Sequence, residues 1–223
     1  MLANNLANAA TGGYKTDREF YSLYLAPETE GADTGTLPVI QKQWTDFSQG
    51  VLQPTGNPLD LALSGKGFFV AQSPAGPVYT RNGNFRLSGA GDLVTADGYA
   101  VQIVGGKKLQ AQPGKQLDIS TDGSIRQDGK PLGKLALVQF QDASALGKMG
   151  NSYFQNPDAK VQPVVAKDVE VHQGRIEGSN VGVAESAVRL VGIMRQFEML
   201  QKAISIDGDM NQKAIQEVAR IGS

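Results

Sequence analysis

His172 is the only histidine of the chain, and it stands in a polar, strand-like stretch. One imidazole cannot build a metal site, and no Ser-His-Asp set is visible around it. Gly65-Lys66-Gly67 has neither the spacing of a P-loop nor the Ser or Thr that should follow the lysine, so it forms no phosphate cradle. Asp97, Asp118, Asp122 and Asp128 sit beside turns. They could hold calcium weakly, but turn chemistry accounts for each of them. Carboxylate pairs of the kind that hydrolyse glycosides stay open at this level, though no aromatic-lined cleft is signalled to go with them. Cysteine is absent, which removes disulfides, thiolate metal sites and cysteine nucleophiles together. The expectation is therefore a protein with no catalytic residue, no metal and no cofactor. A non-enzymatic alternative is a carbohydrate- or cell-wall-binding face, for which Tyr21, Tyr24 and Trp44 are the side chains available.

If the chain does no chemistry, its composition has to serve something else. Net charge is -1, which gives no electrostatic case for nucleic acid or an anionic membrane. No apolar run reaches transmembrane length, so no membrane insertion is expected. Met1-Leu2-Ala3-Asn4-Asn5 lacks the basic and apolar regions of a secretory signal, so export would take another route. The 27 glycines favour a turn-rich β body.

That body is read from residues 57–178. Short alternating stretches at 67–72, 77–81, 84–87, 92–95, 99–104, 117–120, 124–127 and 134–140 predict strands. Asn82-Gly83, Asp97-Gly98, Asp122-Gly123 and Asp128-Gly129 fall between them and predict hairpin turns. Residues 147–157 read as a loop and 161–176 as extended chain. Before the body, residues 14–56 form a connecting segment, with a strand predicted over 39–47 and an acidic, Gly-rich stretch at 28–35 expected to be mobile.

The two ends are helical. Residues 1–13 read as the end of a helix, with Leu2, Leu6 and Ala9 on one side and Asn4, Asn5 and Asn8 on the other, stopping at Thr11-Gly12-Gly13. Residues 179–223 predict one long amphipathic helix. Val183, Ala187, Leu190, Met194, Phe197, Leu200 and Ile204 recur three or four apart and make one apolar stripe. Glu185 with Arg189, Glu198 with Lys202, and Asp209 with Lys213 are acid-then-base pairs four apart, each worth roughly 0.2–0.5 kcal/mol to a helix. Ser179 or Asn180 is the expected N-cap and Gly222 the expected end, with a kink or break at Asp207-Gly208-Asp209. Such a helix is longer than a small domain is wide, so its stripe needs a partner surface, and another chain is the expected partner. The fold class is thus mainly β with a long C-terminal α-helix, a central antiparallel β domain being inserted between N- and C-terminal helical assembly segments.

Separated segments carry a resemblance to a known family. Residues 3–15 contain Asn4-Asn5-Leu6-Ala7-Asn8, then Thr11 and Gly13-Tyr14-Lys15. A second segment runs from Asn57-Pro58-Leu59-Asp60 through Gly65-Lys66-Gly67-Phe68-Phe69-Val70 to Tyr79-Thr80-Arg81-Asn82-Gly83-Asn84-Phe85 and Asp97-Gly98-Tyr99. A third is Gly174-Arg175-Ile176-Glu177-Gly178-Ser179-Asn180-Val181. In this order they resemble the bacterial flagellar basal-body rod and hook proteins. Arg195-Gln196-Phe197-Glu198 and the short chain are more similar to the proximal-rod type than to the distal-rod type.

The resemblance implies a structural rod subunit that polymerises through its terminal helices to transmit torque. It implies assembly roles for Asn4, Asn5, Leu6, Asn8, Thr11, Gly13, Tyr14 and Lys15 at one end, and for Ser179, Asn180, Val181 and the stripe at the other. Its partners would be other rod subunits and the flagellar type III export apparatus, its location the periplasmic rod, reached without a cleaved signal peptide. It also implies further helix ahead of Asn4, which would pair with the C-terminal helix.

Overall fold

The structure, a computed structural model, describes residues 1–25, 36–112, 114–150, 152–158 and 161–221, with the side chains of 21–25, 36–42, 214, 215 and 217–221 left aside. It is mainly β, with one long helix at its C-terminal end and a short one at its N-terminal end. The stretch 28–35 and Gly222 lie outside the described residues.

The short helix, α1, is Leu2–Ala7. Turns continue to Gly13, whose φ of 67° turns the chain away. Its polarity reverses the expectation: Asn5 and Asn8 are buried, while Leu2 and Leu6 are only half-buried. The physical reason is that an asparagine amide can satisfy backbone groups that a leucine cannot. Asn5 Nδ2 donates to the Asp17 carbonyl at 2.9 Å, and Asn5 Oδ1 accepts from Asp17 N at 3.1 Å.

A 10-stranded sheet forms the centre, with all its pairings antiparallel. Phe68–Ser73 is its hub, flanked by Gly76–Thr80 and Ala100–Ile103 and touched at its start by Leu137–Gln139. Both faces of this strand are covered, so it is apolar without alternation. Phe69 packs with Leu61, Leu63 and Phe85 on one side; Phe68 and Val70 pack with Tyr79, Phe140 and Phe154 on the other. A 3-stranded sheet (Leu117–Ile119, Ser124–Gln127, Lys130–Lys134) closes the first cluster. Leu61–Gly65 pairs with Val169–Gln173, and Leu52–Pro54 with Arg175–Glu177, bringing the chain back beside its own beginning.

The turns at Asp97-Gly98, Asp122-Gly123 and Asp128-Gly129 join paired neighbours as predicted. Asp128 itself takes φ 51° and Gly129 75°, a tight turn in which both residues are left-handed. Asn82-Gly83 is not a hairpin turn. Gly76–Thr80 pairs with Phe68–Ser73 and Tyr153–Gln155, whereas Phe85–Leu87 pairs with Leu93–Thr95. Glycine is needed there for closeness, because a Cβ on Gly83 would lie 1.6 Å from the Leu61 carbonyl oxygen. The expected loop at 147–157 contains a hairpin, Gly147–Met149 with Tyr153–Gln155. The connecting segment holds a long hairpin, Asp17–Leu25 with Thr36–Thr45. The strand predicted over 39–47 therefore starts and ends earlier. Phe47 lies beyond it and packs edge-on against Phe68 and Phe154.

The long helix, α2, is Val183–Ile221, 39 residues and so about 58 Å. It begins later than Asn180, and neither Ser179 nor Asn180 caps it; Gly182 O takes the first helical bond, from Ser186 N at 2.9 Å. The helix is continuous through Asp207-Gly208-Asp209, so the break expected there as the alternative to a kink does not occur.

Candidate assembly site

The N-terminal motif and the segment leading into α2 meet in one buried joint. Gly13 N donates to the Glu177 carbonyl at 2.7 Å. Gly13 is the residue this approach demands: with φ at 67°, a Cβ would stand 2.3 Å from Asn82 N. The turn delivers Tyr14 and Lys15 inward, both fully buried. Tyr14 Oη donates to Asn5 Oδ1 at 3.0 Å, and Lys148 Nζ lies 4.0 Å over the Tyr14 ring. Lys148 also donates to the Lys15 carbonyl and to Asp17, each at 2.9 Å. Burial, with the Asp17 carboxylate adding to it, pushes the Tyr14 hydroxyl up to about 12.

Lys15 Nζ meets Glu177 Oε1 at 2.6 Å and donates to the Ser48 carbonyl at 2.6 Å. Gly50 N donates to the same Oε1 at 2.9 Å. Arg81 Nε stands 2.8 Å from Glu177 Oε2, off the line of a hydrogen bond, so this contact is an ion pair. Two cations thus share one carboxylate. The excess is spread over carbonyls, since Arg81 Nη1 donates to Gly65 O and Gly67 O. That is also what Gly65-Lys66-Gly67 does in the fold. Burial lowers the Lys15 ammonium below the usual lysine value, with Glu177 opposing, and lowers Arg81 in the same way.

Asn180 repeats this grip on the same neighbours. Its Oδ1 accepts from Thr16 N and Thr16 Oγ1, both at 2.8 Å; its Nδ2 donates to the Asp46 and Ser48 carbonyls at 2.7 and 3.1 Å. Val181 beside it is buried, and Ser179 Oγ accepts from Val181 N. Within the N-terminal motif, Asn8 Nδ2 donates to Asn4 O and Oδ1, and Thr11 Oγ1 donates to Asn8 Oδ1. Leu6 stays half-buried and joins no polar contact here.

Beyond the joint, α2 is bare. Ala187 and Leu190 are half-buried near α1, but Val183, Met194, Phe197, Leu200 and Ile204 are exposed, Ile204 by 73%. Val188, Met199, Ile206 and Met210 are exposed too, and helical periodicity puts them on the flank roughly opposite the predicted stripe. Sequence reasoning missed this second flank, and it missed Glu177, Arg81 and Lys148 as members of the joint. Glu177 and Arg81 lay inside the quoted motifs; Lys148 had no signal.

The other candidates scatter. His172 faces Glu170 at 3.7 Å, and Asp122 is held near 2 by hydrogen bonds from Ser124, with Lys134 nearby. Asp97 accepts from the Tyr153 hydroxyl at 2.6 Å, Asp128 pairs with Lys115, and Asp118 sits opposite Arg126 in its sheet. Among the described residues, no three His, Asp or Glu side chains converge as metal ligands. Trp44 is exposed but carries the Arg18 guanidinium 6.0 Å over its ring; the side chains of Tyr21 and Tyr24 lie outside the described residues.

Two family models match the chain: the D1 domain of the flagellar hook protein FlgE/F/G over residues 62–127, and the C-terminal part of the flagellar basal-body rod FlgEFG protein over 172–217. The chain is 32% identical to the flagellar basal-body rod protein FlgF of Caulobacter vibrioides over 227 residues, covering 99% of this chain and 91% of that one. It is 32% identical to FlgF of Rhizobium meliloti, covering 88% and 81%. It is 30% identical to FlgG of Buchnera aphidicola over 241 residues, covering 96% and 91%. The Caulobacter relative aligns over nearly the whole chain, and this chain belongs to the flagellar basal-body rod protein family: it is a structural rod subunit and not an enzyme.

Proposed function

We propose that this subunit polymerises through its terminal segments, α1 with α2, into the periplasmic rod, where it passes torque along the axis. Its layout would be residues 1–13 and 179–223 as assembly segments, 14–56 as connector and 57–178 as a β domain held outside them. Its partners are copies of itself and neighbouring rod proteins, and the flagellar type III apparatus delivers it without a cleaved signal peptide. The proximal type is favoured: the Caulobacter FlgF aligns over 227 residues, whereas the Buchnera FlgG needs 241 for less of the chain.

One observation carries the assembly reading. Phe197, Leu200 and Ile204 lie on α2 with more than half of each residue exposed, uncovered by any described residue of their own chain. An apolar row of that length on a rigid helix is an interface waiting for neighbours. The test is Phe197→Glu with Leu200→Glu in the full chain, expressed in cells lacking their own copy. The variant protein should fold and be exported, yet be missing from purified basal bodies, and the cells should not swim. Normal incorporation of the double variant would refute the reading.

A further inference from the structure

We propose that Glu177 and Asn180 are the positioning residues of α2, fixing the direction in which the helix leaves the β body before any neighbour binds. This rests on the reading that α2 is the assembly helix. The mechanical demand follows from length. At about 58 Å, a swing of about 5° at the base moves the far end about 5 Å, nearly one helical turn. Register with a neighbour then depends on what holds the base.

Packing holds it only lightly: among the described residues of α2, only Ser186, Ala187 and Leu190 are half-buried, near α1. Residues 178–182 form no regular structure, and two of them are glycine. A cleft of about 450 Å³ opens between α1, residues 16–19 and the first turns of α2, with Glu185, Ser186, Arg189 and Ile193 on the helix side. Val181 is the one deeply buried side chain in the connector.

Polar grips hold it. Glu177 and Asn180 clasp the same two strips of chain, residues 13–17 and 46–50, three positions apart. Two fixed points leave the chain little freedom to pivot, and α2 begins at Val183, just beyond the second. Between them the backbones are too close to slide, since a Cβ on Gly50 would lie 2.0 Å from the Gly178 carbonyl oxygen. One strip is the N-terminal motif, so the direction of α2 is set only once Tyr14 and Lys15 have docked.

The absence of cysteine makes the test direct. Spin labels on Arg126→Cys in the β body and Lys202→Cys in α2, in full chain diluted with unlabelled chain, give the body-to-helix distance distribution by pulsed dipolar spectroscopy. The starting protein should give one narrow distribution. Asn180→Ala and Lys15→Met should each at least double its width while hydrogen-exchange protection of Phe68–Ser73 persists. Lower melting temperatures with unchanged widths would overturn the proposal, because a merely stabilising joint moves only the former. Should Lys15→Met unfold the body, Asn180→Ala, half-buried and outside the core, decides alone. The assay needs no rod: broadened variants beside normal incorporation of the Phe197→Glu, Leu200→Glu double variant would sink the assembly reading only.

Discussion

Lys15 and Glu177 stand 162 positions apart in the chain, yet Nζ and Oε1 meet at 2.6 Å and neither side chain reaches solvent. A buried pair of this kind is a strong constraint chiefly because losing one member strands the other. Glu177→Gln leaves Lys15 and Arg81 buried without a counter-charge. It should cost about 3–5 kcal/mol in urea unfolding. Lys15→Met leaves a balanced Glu177–Arg81 pair and should cost visibly less.

Gly13 and Gly98 share a left-handed backbone but not a neighbourhood, with φ of 67° and 85°. Gly13→Ala adds a methyl against Asn82 and should lose roughly 2–4 kcal/mol. Gly98 has nothing within 4 Å of its absent Cβ, so Gly98→Asn meets only the backbone strain that asparagine tolerates best and should lose no more than about 1 kcal/mol. Thermal unfolding of the two variants side by side checks the contrast.

Alkaline titration should loosen the joint. Tyr14 ionises near 10 when unfolded and about 12 when folded, so the native state holds the proton longer. Its contribution is complete below pH 10 and is lost as pH rises toward 12. Lys15, lowered by burial, has the opposite sign: stability rises with pH between its folded value and 10.5 and gains nothing further above that. The urea midpoint should therefore fall between pH 10.5 and 12, and Tyr14→Phe should flatten part of the fall. Tyr79 and Tyr153, also raised by burial, supply the remainder.

The second flank of α2 is testable apart from the first. Met199 is 64% exposed, so Met199→Glu should leave the unfolding free energy within about 0.5 kcal/mol. It should nonetheless reduce the subunit's content in purified basal bodies, measured by quantitative mass spectrometry.

The β body was legible where local rules decide the outcome. Asp128-Gly129 makes its turn with its own two residues, so the dipeptide suffices. Asn82-Gly83 carries an equally good signal, but Gly83 is fixed by the Leu61 backbone, a distant contact that no local pattern encodes. The same divide runs through the joint. The family resemblance marked Tyr14, Lys15 and Asn180, while the burial of Asn5 in place of Leu6 depends on a backbone twelve residues away. Asn180 looked like a helix cap because caps are local, yet its amide serves Thr16 and Asp46. The hairpin at Asp17–Leu25 and Thr36–Thr45 escaped notice because the sequence between its strands carries no two-residue turn signature such as Asn-Gly or Asp-Gly.

The opposed oily edges of α2 set a valence. A single companion helix can shelter one edge and leaves Val188, Met199 and Met210 wet, so a closed pair would stay adhesive. Contentment requires company on both sides at once, which a lattice provides and a dimer does not.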